Sequence, residues 1–78
     1  MTRKILKAID TATIDNNFKY HQPLGDQIEK YARIRHEAKQ LAYLINIECP
    51  ESREKALAMT KLEEMVMWAN AAIARNEE

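Results

Sequence analysis

The sequence predicts an all-α fold: an antiparallel two-helix hairpin with a short N-terminal helix or arm, assembled as a homo-oligomer. Three observations predict it. Gly occurs once and Pro twice among 78 residues, and a β-sandwich or barrel needs many turns built from those residues. Apolar residues recur at helical spacing along two long stretches separated by one proline. The chain is one domain at most, and chains this short rarely build a sufficient core alone. A single cysteine, Cys49, cannot close an intrachain disulfide, and with only two histidines there is no closed zinc site. Self-association is the remaining supplement.

The elements follow in order. Residues 1–24 read as an N-terminal arm. Ile5, Leu6 and Ile9 can form one short amphipathic helix, whereas Thr11, Thr13, Asp15, Asn16 and Asn17 disfavour a long one, because their side chains compete for the local backbone. Pro23 and Gly25 punctuate the chain. Residues 25–78 read as the hairpin. Asp26 is a good N-cap with Glu29 three residues on, and Ile28, Tyr31, Ile34, Ala38, Leu41, Leu44 or Ile45, and Ile47 follow at helical spacing. This predicts a first helix over about 26–48.

Cys49-Pro50-Glu51 breaks the pattern, Ser52 is the next N-cap, and Glu54 suits the positive helix end. The second helix is predicted over about 52–76. Met59, Leu62, Val66, Ala69 and Ile73 form a heptad-like seam, with a second stripe beside it through Met65, Trp68 and Ala72. Two stripes require two partners. One is the preceding helix, antiparallel across a short connection. The other is most simply another copy of the chain.

Charge excludes some functions and suggests others. Lys plus Arg equals Asp plus Glu at 12 each, which disfavours duplex DNA binding. A helix-turn-helix reading fails further on long helices and a turn without glycine. No apolar run approaches a membrane span, and MTRKILKAID lacks the apolar core of a secretory signal, so an intracellular protein is expected. The zero total hides a polarity: residues 1–39 carry eight Lys/Arg and five Asp/Glu, residues 40–78 four and seven. Lys30, Arg33, Arg35, His36 and Lys39 cluster on the first half of the long helix, just after Lys19-Tyr20-His21. An aromatic ring beside cations offers a surface for a base and charge for phosphate. The plainer reading stands beside this one. Basic helix faces are usually solvated, Glu29 and Glu37 can pair with them, and Tyr31 and Tyr43 are more often packing residues. Trp68 among alanines is more often an interface anchor. His21 and His36 lack metal-ligand spacing. No nucleophile elbow, Gly-rich phosphate loop or paired His/Asp/Cys constellation is present, so no enzyme is predicted.

The strings YHQPLGDQIEKYARIR (20–35) and CPESREKALAMTKLEEMVMWANAAIARN (49–76) carry a resemblance. They are similar to the helical-hairpin domain of phage anti-CBASS sponges, a family that sequesters the cyclic oligonucleotide signals of bacterial antiphage immunity. The first string departs from the usual pattern at Gln22, where a second proline is usual. The resemblance implies a homohexamer in the cytoplasm of the infected bacterial host. Pockets between its protomers would hold cyclic dinucleotides such as cyclic GMP–AMP without cleaving them, and cyclic trinucleotides would bind at a separate site. It implies no cofactor and no metal. Carried over by position, Tyr20 stacks on a base and Arg35 meets the phosphodiester. Proximity and chemistry add His21 and Lys39, and Arg75 is the candidate for the trinucleotide. The alternative is a small oligomeric adaptor whose Met65/Trp68/Ala72 stripe binds another protein.

Overall fold

A computed structural model describes residues 10–77. Among them are three helices and no strand: α1 (Thr11–Asn17), α2 (Gln27–Glu48) and α3 (Arg53–Asn76). The short helix expected from Ile5, Leu6 and Ile9 lies outside the described residues. No described helix is long and apolar enough to cross a membrane.

The run TATIDNN, set against a long helix by its side chains, folds as the short α1. Asp10 makes this possible. Its side chain accepts from the Ala12 N–H at 3.3 Å, and its carbonyl accepts from Thr13 and Ile14. The helix stops after seven residues, and Asn16 spends its carboxamide on a distant partner instead of on its own turn.

The two long helices are antiparallel. The start of α2 meets the end of α3 through Lys30 and Glu77, and the end of α2 meets the start of α3 through Lys55 and Asn46. At the connection the Ser52 hydroxyl accepts from the Lys55 N–H at 3.1 Å and donates to the Pro50 carbonyl at 3.0 Å. The Lys55 ammonium donates to the Asn46 carbonyl at 3.0 Å and pairs with Glu51 at 2.9 Å. A cation thus closes the negative end of α2.

The expected cap at Asp26 takes a different form. Asp26 stands at the N-cap, but its carboxylate makes no capping hydrogen bond; it faces Lys30, one turn on, at 3.8 Å. The turn is closed by Gln27, whose N–H donates to the Leu24 carbonyl at 2.9 Å. Gly25 sits in this turn at φ +55°, a conformation that glycine adopts without strain.

The seam predicted on α3 is the face turned to α2: Met59, Leu62, Val66, Ala69 and Ile73 are all half-buried. On α2 the inner face is Tyr31, Ile34, Ala38, Ala42 and Ile45, so Ile45 takes the position offered to Leu44 or Ile45. Ile28, Leu41, Leu44 and Ile47 face outward instead. Two helices side by side cover only one stripe each: Leu41, Leu44 and Ile47 wind away from the inner face at i, i+3 spacing, and Ile28 stands exposed in the first turn of α2. Met65, Trp68 and Ala72 are likewise exposed. The result is a slab of 45 × 42 × 13 Å with a radius of gyration of 17.1 Å, where a compact chain of this length has about 11–12 Å. No apolar side chain is buried among the described residues.

Candidate functional site

At the open end of the hairpin, three segments enclose a cleft of about 290 Å³. One wall is the end of α1 and the loop after it, with Asn16, Lys19, Tyr20 and His21. Leu24 and Gln27, at the turn into α2, form a second. The third is the last turn of α3 and its cap, with Ala74, Arg75 and Glu77.

Polar bonds hold these walls together. The Asn16 carboxamide donates to the Arg75 carbonyl at 2.9 Å, tying α1 to the last turn of α3. His21 Nε2 lies 2.7 Å from the Asn16 carbonyl, which can only accept, so Nε2 carries the proton and Nδ1 is left to face other partners. Gln27 Oε1 accepts from the Leu24 N–H at 2.9 Å, and its Nε2 donates to Glu77 at 3.1 Å. Lys30 donates to the other oxygen of Glu77.

That last contact shifts both charges. The hydrogen bond to Glu77 raises the Lys30 pKa above the ordinary lysine value, with Asp26 adding to it. The hydrogen bonds from Lys30 and then Gln27 hold the Glu77 carboxyl below the ordinary carboxylate value. The signs define a window. The stabilisation from Glu77 is complete above the ordinary carboxylate range and is lost as pH falls through its lowered pKa; that from Lys30 is lost as pH rises through its raised one. Both side chains remain about a third exposed, so the effect is small. Subtracting the melting profile of Glu77→Gln from that of the native chain isolates it. The difference is expected to be flat from about pH 5 to about pH 9 and to shrink below about pH 4. A difference that does not change with pH would remove the ion pair from the fold's energetics.

The cleft suits a flat, anionic ligand. Tyr20 is 82% exposed, so its ring is an uncovered platform. Lys19 and Arg75 supply cations, and neither makes an ion pair among the described residues. Arg75 lies in the last turn of α3, where the helix dipole favours positive charge. The one carboxylate in the wall, Glu77, is neutralised by Lys30.

Of the residues singled out in the sequence, Tyr20, His21 and Arg75 come together here. Tyr20 and Arg75, assigned to two different ligands, share one cleft. Arg35 and Lys39 do not line it. They stand exposed on α2, about 12 and 18 Å along the helix from Gln27 at 1.5 Å per residue, and make no ion pair among the described residues. Tyr31 is half-buried against α3 and Tyr43 is exposed. Sequence reasoning missed Asn16, Gln27 and the Lys30–Glu77 pair. Their partners lie 59, 50 and 47 residues away along the chain, and no local pattern marks them.

The family model described as the Acb2/Tad1 hairpin domain matches residues 10–74. The chain belongs to that family. Acb2/Tad1 is the anti-CBASS sponge family that the two sequence strings resemble, and it is a family of binding proteins rather than enzymes. Its hairpin domain spans α1, α2 and most of α3, with Tyr20, His21, Arg35 and Lys39 inside the match, and Arg75 and Glu77 just beyond it. No curated protein and no solved structure matches the chain.

Proposed function

We propose that this Acb2/Tad1 hairpin protein is a phage anti-CBASS sponge. It acts in the cytoplasm of the infected bacterium, where it binds cyclic dinucleotides such as cyclic GMP–AMP, and also cyclic trinucleotides, and withholds them intact from host antiphage signalling. The observation that carries this reading is the exposed Tyr20 ring in a cleft with His21, Lys19 and Arg75. A purine stacks on Tyr20 and a phosphodiester takes charge-assisted hydrogen bonds from the cations. Because Arg75 shares the cleft with Tyr20, its guanidinium serves either class of ligand.

A single chain does not complete the site. At about 290 Å³ the cleft sits at the lower bound of ligand pockets, and a cyclic dinucleotide has two bases and two charges. In the homo-oligomer, a hexamer in this reading, a neighbouring copy presents its own ring and the outward Arg35 and Lys39 of its α2. Sequestration needs tight binding and slow release, not turnover.

The test is uptake. The protein is incubated with cyclic GMP–AMP and with a cyclic trinucleotide, freed of excess ligand, heated, and the released nucleotide analysed beside the particle mass in solution. Intact ligand from an oligomer is expected. No uptake of either class overturns the reading, and a linear product makes the protein an enzyme. A second reading, an adaptor whose exposed Met65/Trp68/Ala72 stripe binds another protein, is favoured by a stable monomer that takes up nothing.

A further inference from the structure

Among the described residues the one buried side chain is polar: Gln27, 5% exposed. Burying a carboxamide is costly unless both of its ends are satisfied. Here both are. Oε1 takes the Leu24 N–H at 2.9 Å and Nε2 gives a hydrogen bond to Glu77 Oε1 at 3.1 Å. The Gln27 N–H also donates to the Leu24 carbonyl, so residue 27 grips Leu24 at both its N–H and its carbonyl. Leu24 ends the loop that carries Tyr20 and His21, and Glu77 ends the wall that carries Arg75.

We infer that Gln27 is a positioning residue for the ligand: it latches the Tyr20 loop to the C-terminal end of α3 and thereby fixes the distance between the stacking ring and the Arg75 cation. The inference rests on the cleft being the ligand site. Gln27 itself need not touch the ligand. Its side chain suits the task because it must accept at one end and donate at the other. A carboxylate at position 27 would still accept from Leu24 but would be set against the carboxylate of Glu77. Exchanging the two residues reverses the polarity of the bond without losing it. The carboxamide then stands at position 77 and donates to the carboxylate at position 27. Lys30, three residues along the same helix face, neutralises that carboxylate in place of the one it pairs with in the native chain.

The experiment is a cycle on the full chain: Gln27→Glu, Glu77→Gln and the double exchange, with affinity and release rate for cyclic GMP–AMP measured beside particle mass and melting temperature. Gln27→Glu is expected to bind about tenfold or more weakly and to release faster at unchanged mass, and Glu77→Gln to stay within about threefold of the native chain. The double exchange is expected to return to within about threefold of it. Native binding in Gln27→Glu overturns the inference, as does a double exchange that stays as weak as Gln27→Glu. Should Gln27→Glu fail to fold, Glu77→Ala decides: it removes the far end of the latch and leaves the Leu24 grip, so about tenfold weaker binding is expected, and unchanged binding overturns the inference. Should the native chain take up no nucleotide, the sponge reading fails on its own. The latch is then read from hydrogen exchange of the Leu24 amide, expected to be faster in Gln27→Ala, which removes its acceptor, than in the native chain; equal rates overturn it.

Discussion

Replacing Tyr20 by Ala is expected to weaken capture of cyclic GMP–AMP while leaving the particle mass unchanged. One base–aromatic stack is worth ~1–3 kcal/mol, or roughly 5- to 150-fold. If two copies flank one ligand, both rings are lost at once and the effect lies at or above the upper end. The fold should not notice. Tyr20 is 82% exposed, lies outside the three helices, and contributes nothing to the α2–α3 seam. Tyr20→Phe, which keeps the π-face and loses only the hydroxyl, should bind within about threefold of the native chain. Calorimetric titration of both variants, with light scattering for mass, separates the outcomes. Native affinity in Tyr20→Ala would move the ligand away from this cleft. Equal losses in Tyr20→Ala and Tyr20→Phe would make the hydroxyl, not the stack, the recognised group.

The architecture was legible in the sequence to the extent that it depends on local signals. Helical periodicity, the break at Cys49-Pro50 and the Ser52 cap are properties of neighbouring residues, and the half-buried seam from Met59 to Ile73 follows from spacing alone. The α2 face was legible less well. Its apolar residues are spread around more than one face, and only packing against α3 separates Ile34 and Ile45 from Ile28 and Ile47. The helix at Thr11–Asn17 was hidden because Asp10 acts on it from outside and Asn16 is redirected to Arg75. For the site, the charge and aromatic character around Tyr20 could be read directly. That Arg75 closes the same cleft could not, since only the antiparallel return of α3 brings the last turn of the chain beside residue 20. Gln27 and Glu77 carried no signal. Each is an ordinary polar residue until folding sets one against the other.

A substitution on the outer stripe of α3, Trp68→Asp, is expected to dismantle the assembly. With no buried apolar side chain among the described residues and a radius of gyration of 17.1 Å, those residues of one copy withhold little surface from water against the cost of ordering its helices, and the proposed assembly would withhold the rest. Trp68 is 61% exposed, and Met65, three residues before it on the same stripe, is 51% exposed. Aromatic residues with an apolar surround are where contact energy concentrates. A carboxylate at that position would be desolvated without a partner if the copies still closed on one another, a cost of several kcal/mol per site that symmetry repeats at every contact. The native protein should therefore melt at a temperature that rises with protein concentration, because dissociation and unfolding are coupled. Trp68→Asp should fall to a particle of one or two chains with reduced helical content, and nucleotide uptake should fall with it if, as proposed, Arg35 and Lys39 serve the ligand of a neighbouring copy. Light scattering, circular dichroism and the uptake assay on one preparation test all three together. A variant of native mass that has lost uptake would place Trp68 at the ligand. A native protein that melts as a monomer, independent of concentration, would end the case for assembly and leave the outer stripe of α3 to a foreign protein.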